Sequence, residues 1–134
     1  MRAGLVLRSW QDADAYLRAG RNPDRRALPG VETYAVRMLP HVGQDVGAIA
    51  IVYRGTSVVT YRPDGTAVLQ SRGWRTRTTL ARMNQYGPVP VFQHRHEWYV
   101  QGATFDERID YHDGMRVGAF LGGEPVIVEG THGT

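Results

Sequence analysis

The stretch AIAIVYRGTSVVTYRPDGTAVLQS, residues 48–71, decides the fold. Residues 48–53 form a continuous apolar run of the length expected of a buried strand. Residues 56–61 and 66–71 flank Arg62-Pro63-Asp64-Gly65, in which Pro63 presets the turn and Gly65 supplies a positive φ. The three segments together predict an antiparallel meander over residues 48–71.

Upstream, residues 9–19 carry Trp10, Ala13, Tyr16 and Leu17 at helical spacing, with Ser9 or Asp12 as cap and Gly20 as stop. Residues 21–30 are turn chemistry bearing Arg21, Arg25 and Arg26, and are expected to be exposed. Residues 31–39 alternate apolar and polar as a strand does, and Pro40 ends them. Downstream of Gly73 the period changes. Thr76 or Thr78 can cap a helix over residues 76–86, which Gly87-Pro88 ends. Residues 89–101 read as a second hairpin turning at His94 to His96, residues 105–114 as an acidic loop, and residues 115–121 and 125–130 as two more strands joined at Gly122-Gly123. The expected class is α+β: one domain over residues 1–134, with a mostly antiparallel sheet built from hairpins, one helix packed on it and a short N-terminal helix. Parallel crossover folds are not expected.

The chain's 134 residues, 42% apolar and 22% charged, have the make-up of a soluble globular domain. No apolar run reaches the roughly 20 residues of a membrane helix. The apolar core Leu5 to Leu7 falls short of the roughly 7 residues that a signal peptide needs at minimum. The expected address is the cytoplasm, with no membrane partner. The absence of cysteine removes disulfides, thiolate metal sites and cysteine nucleophiles. All 16 basic residues are arginine, as a GC-rich genome produces and as selection for a planar, bidentate guanidinium also produces. A net charge of +3 does not by itself imply a nucleic-acid partner.

Local clustering carries more. In GWRTRTTLARMNQYGP, residues 73–88, a helical wheel places Leu80 and Met83 on one side and Arg75, Thr78, Arg82 and Gln85 on the other, with Arg77 at the flank and Arg72 just before. A helix start, threonine hydroxyls and guanidinium groups each suit an anion, and together they suit phosphate. Trp74 adds a plane on which a base or an arginine can stack. The alternative reading of the same residues is structural. Leu80 and Met83 then dock on the sheet, Trp74 fills the edge of the core, the threonines cap, and the arginines form a solvated face.

The succession from Tyr53 to Met115 resembles a family of small uncharacterised proteins of bacteriophages and their hosts. The shared pattern is a G-T-x-V-V strand, a D-G turn, a G-W-x-T-x-T-T segment leading into a helix with R-x-N, and a later W-x-V. It is carried here by Gly55, Thr56, Val58, Val59, Asp64, Gly65, Gly73, Trp74, Thr76, Thr78, Thr79, Arg82, Asn84, Trp98 and Val100. The chain departs from the pattern at Leu80, where lysine is usual. The resemblance implies a phage-type accessory protein and no particular chemistry.

Other constellations are thinner. His94 and His96 share one side of a strand and could join His112, with Glu97, Asp106 or Asp110 as a carboxylate, in a metal site. The simpler reading of the same histidines is as exposed residues at the tip of a hairpin, where polar side chains are expected. Asp106, Glu107, Asp110 and Asp113 approach a Ca²⁺ loop in spacing but lack its glycine and terminal glutamate. No phosphate loop, dinucleotide fingerprint or nucleophile elbow occurs, and no cofactor is expected. Ser57 and Ser71 have no activating histidine and acid placed near them by sequence.

Three functions follow. The first is a non-catalytic module binding a host nucleic acid or host protein complex through Arg72, Trp74, Arg75, Arg77, Thr78, Arg82 and Gln85. The second is a metal-dependent enzyme using His94, His96 and His112. The third is an assembly subunit that pairs an edge strand, such as residues 125–130, with another chain.

Overall fold

A computed structural model describes residues 7–38, 47–101, 108–118, 120–121 and 124–125. The elements in chain order are α1 (Trp10–Arg18), β1 (Arg25–Ala27), β2 (Thr33–Arg37), β3 (Ile49–Tyr53), β4 (Thr56–Tyr61), β5 (Thr66–Leu69), α2 (Arg77–Tyr86), β6 (Val91–His94), β7 (Glu97–Gln101), β8 (Arg108–Asp110), β9 (Arg116–Gly118), β10 (Phe120–Leu121) and β11 (Glu124–Pro125). The class is α+β, and every strand pairing among the described residues is antiparallel. Six strands form one sheet in the order β1-β2-β3-β4-β5-β9, and β6-β7-β8 form a second.

The meander over β3, β4 and β5 lies at the centre of the larger sheet. Its register aligns Ala35, Ile51, Val59 and Leu69 across four strands, all fully buried. A bulge interrupts β3–β4: Ile51 faces Val59 while Val52 faces Ser57, which leaves Val58 as the extra residue. The bulge explains why adjacent Val58 and Val59 are both buried when strict alternation would expose one. The β4–β5 turn uses Gly65 at φ 97°, and the Asp64 side chain accepts from both the amide and the hydroxyl of Thr66. At the β6–β7 turn, Arg95 and His96 take φ of 52° and 70°, the geometry of a two-residue hairpin turn.

α1 lies against β1 and β3, and α2 against β3, β4 and β6. Leu17, Ile49, Ile51, Tyr61, Leu69, Met83 and Tyr86 join one continuous buried cluster that also takes in Trp98 of the second sheet and Tyr111 just after β8. Each buried aliphatic side chain of this kind contributes roughly 1.5–3 kcal/mol.

Three segments differ from their sequence reading. Residues 21–30 are not all turn, because β1 pairs with β2. Arg25 and Arg26 lay their guanidiniums on the rings of Tyr34 and Tyr16, at 3.9 and 4.0 Å. Gly20 does more than stop a helix: a Cβ there would meet the Arg26 Cδ at 2.8 Å. Within the acidic loop, Arg108–Asp110 is a strand, added to the edge of the second sheet by pairing with β7. Residues 115–121 are not one strand: β9 returns to pair with β5, and β10 pairs with β11 instead. The rest of the strand read at residues 125–130, the Gly122-Gly123 turn, and Asp106 and Glu107 lie outside the described residues. No helix among the described residues is long and apolar enough to cross a membrane.

Candidate functional site

α2 is anchored along its length, by the cap and the buried methionine that the sequence predicts and by contacts that it does not. Thr76 caps it by accepting from the Thr79 amide at 3.1 Å, and the two hydroxyls lie 3.1 Å apart. Met83 and Tyr86 are fully buried. The Asn84 carboxamide bridges the helix to β6: its oxygen accepts from the Val91 amide at 2.9 Å, and its nitrogen donates to the Leu80 and Val91 carbonyls. Tyr61 donates to the Tyr86 carbonyl, and Tyr86 donates to that of Pro29. At the C-terminal end, Arg8 donates to the carbonyls of Asn84 and Gly87, a cation where the helix dipole is negative.

Arg82 belongs to this anchoring. The wheel put it on the polar face, but it is half-buried: its Nε donates to the Thr33 hydroxyl at 3.0 Å and its guanidinium lies 5.3 Å from the Tyr53 ring centre. Gly30 leaves room for it, since a Cβ at that position would collide with the guanidinium. The wheel fails here because a long side chain can reach back over a sheet that the helix crosses.

The turn before α2 is held by a carboxylate from the far end of the sequence. Asp113 Oδ1 accepts from the Ser71 amide at 3.0 Å, the Ser71 hydroxyl at 2.7 Å and the Tyr111 hydroxyl at 2.6 Å. Its Oδ2 accepts from the Gly73 amide at 3.1 Å. Partial burial alone pushes the Asp113 carboxyl up, but the hydrogen bonds from Tyr111, Ser71 and Gly73 outweigh it and hold the group below the usual carboxylate range. Burial, then the bond to Asp113 and its charge, pushes the Tyr111 phenol well up. The Tyr111 and Trp98 rings pack at 5.4 Å between centres, and the Arg75 guanidinium sits 5.0 Å from the first and 5.7 Å from the second. These distances suit cation–π attraction.

Between this turn and the β3–β4 hairpin opens a cleft of about 280 Å³, lined by Tyr53, Arg54, Thr56, Ser71, Trp74, Thr76 and Thr79. Trp74 does not fill the edge of the core: it is 69% exposed. Arg72, Arg75, Arg77 and Thr78 are also exposed, and Gln85 is half-buried. Arg54 is exposed across the cleft, 2.9 Å from the Glu32 carboxylate. The fold thus brings Arg72, Trp74, Arg75, Arg77 and Thr78 together at the start of α2 and turns Arg82 away from them. The sequence does not single out Tyr53 and Arg54, which line the same cleft, nor assign Tyr111 and Asp113 to the support of its turn. The only sequence signals were the Tyr-Arg-Gly of the hairpin end and the Tyr-His-Asp-Gly turn, neither of which carries a spacing rule.

His94 and His96 stand exposed at the β6–β7 turn, whereas His112 lies between β8 and β9 and its Nδ1 is 3.3 Å from the Asp113 carbonyl. Among the described residues no three histidines or carboxylates gather closely enough to share a metal ion. Ser71, fully buried, does have an acid beside it in Asp113, and that acid fixes the turn. Comparison of the chain with known protein families, curated proteins and solved structures finds no match.

Proposed function

We propose that the chain is a non-catalytic module that binds host nucleic acid through the surface at the start of α2. The observation that supports this most is Trp74, 69% exposed among outward arginines on a turn that Asp113 holds in place. A flat ring left in water beside guanidinium groups suits a ligand with both an aromatic face and negative charge, and nucleic acid has both. That the module is an accessory protein of bacteriophage type, acting in the host cytoplasm, belongs to the same proposal and rests on the resemblance of residues 53–115.

Fluorescence anisotropy with labelled DNA and RNA over a salt series tests it. Binding should weaken steeply with salt, and Arg72→Glu with Arg77→Glu should lower affinity by about tenfold or more at low salt. Both residues are exposed, so the melting temperature should hold. Affinity that is absent, or indifferent to salt and to charge reversal, sinks the proposal. Capture of one defined host protein complex that survives nuclease would move the partner from nucleic acid to protein.

A further inference from the structure

We propose that the cleft beside Trp74 receives one unstacked nucleobase, so that the ligand is single-stranded nucleic acid rather than duplex. This rests on the nucleic-acid reading above and adds to it the form of the strand.

Three observations carry it. First, the cleft offers about 280 Å³ with Trp74 and Tyr53 among its walls. That is just under the roughly 300–1,000 Å³ of small-molecule pockets and too little for stacked base pairs. Second, α2 is a poor recognition helix for a duplex groove. Its exposed surface carries Arg77 and Thr78 at the start and Ala81 beyond them, while Arg82 is committed to Thr33 and Tyr53. A helix reading a major groove needs several base-contacting side chains along one face. Third, three of the five hydroxyls lining the cleft are engaged within the protein: Ser71 donates to Asp113, and Thr76 and Thr79 bond each other. The hydroxyls of Tyr53 and Thr56 remain, too few to tell four bases apart. Stacking, which every base supports, is then the main source of affinity, and sequence preference is weak. Arg72 and Arg77, exposed on either side of Trp74 in sequence, are available to the flanking phosphates of an extended strand, whereas Arg54 across the cleft is paired with Glu32.

The test compares three labelled probes of one length, about 12 nucleotides so as to exceed a single site: oligothymidylate, its duplex with oligoadenylate, and an abasic strand with the same phosphates. Oligothymidylate should bind at least about tenfold tighter than the other two and quench tryptophan emission. Trp74→Ala should reduce its affinity roughly 10- to 100-fold, the range of a lost base stack. Trp74→Phe should keep most of it. Thr56→Phe, which crowds the cleft and leaves every arginine in place, should also lower oligothymidylate binding towards the abasic level. Equal binding of duplex or abasic strand, or unchanged oligothymidylate affinity in a folded Trp74→Ala protein, overturns the base pocket and leaves the nucleic-acid reading standing. Failure of all three probes and of oligouridylate of the same length to bind overturns both.

Discussion

Arg75 and Arg82 belong to one short segment, yet their guanidiniums go opposite ways. Arg82 reaches back over the larger sheet to Thr33 and Tyr53 and lies against Gly30. Arg75 stays exposed, resting on the rings of Tyr111 and Trp98. The same contrast runs through their neighbours. Towards the C-terminal end of α2, Met83, Asn84 and Tyr86 all face the protein. Before its first turn, Arg72 and Trp74 face water. One half of the segment spends its polar groups on the fold, and the other is held by the fold with its groups available. An arginine cluster in sequence is therefore two populations in space, and only one can serve a partner.

The largest way to test that division is Asn84→Ala. It removes the acceptor for the Val91 amide and the donor to the Val91 carbonyl, which bridge helix and strand, and the donor to the Leu80 carbonyl within the helix, so stability should fall by about 2 kcal/mol in denaturant unfolding. A change near zero would mean that α2 does not depend on the bridge. Next comes a matched pair. Arg82→Ala should cost about 1 kcal/mol through the Thr33 bond and the Tyr53 ring, whereas Arg77→Ala should stay within about 0.5 kcal/mol. Equal costs for the two would erase the contrast between the halves.

A subtler probe is the pH dependence of Asp113. Its folded-state pKa is depressed, so its contribution is fully present above the ordinary carboxylate value and is lost as pH falls through the depressed one. Stability of the wild-type protein should decline below about pH 5 partly for this reason. Asp113→Asn should flatten that part of the decline, and it should also loosen the Ser71–Gly73 turn, seen as faster amide exchange at Gly73. An unaltered acid profile would show that the turn is held by something other than the carboxylate.

Much of the fold was legible locally. Residues 48–71 carry their own turn chemistry, so the meander and its Gly65 turn follow from neighbouring residues alone, as does the Thr76 cap. The second hairpin was legible too, with its turn at His94 to His96. What was not legible depended on partners remote in sequence. β1 and β8 look like turn and loop because their residues have poor strand propensity, and they are strands because β2 and β7 offer free edges to pair with. β9 returns to β5 across an intervening sheet, which no hairpin rule anticipates. In the candidate site, Trp74 and the arginines beside it were visible as a cluster, but the carboxylate that orders them comes from Asp113, distant in sequence.

By itself, then, the sequence determined the elements whose information is local: an apolar run, a Pro-Asp-Gly turn, a threonine cap, a helix with one apolar side. Only the tertiary structure decided which arginine is a strut and which is left outward, where Trp74 points, and that a cleft lies between the β3–β4 hairpin and the turn before α2. The reason is physical. Backbone preferences are set by a residue and its near neighbours, whereas the fate of a long charged or aromatic side chain depends on what other parts of the chain bring within its reach.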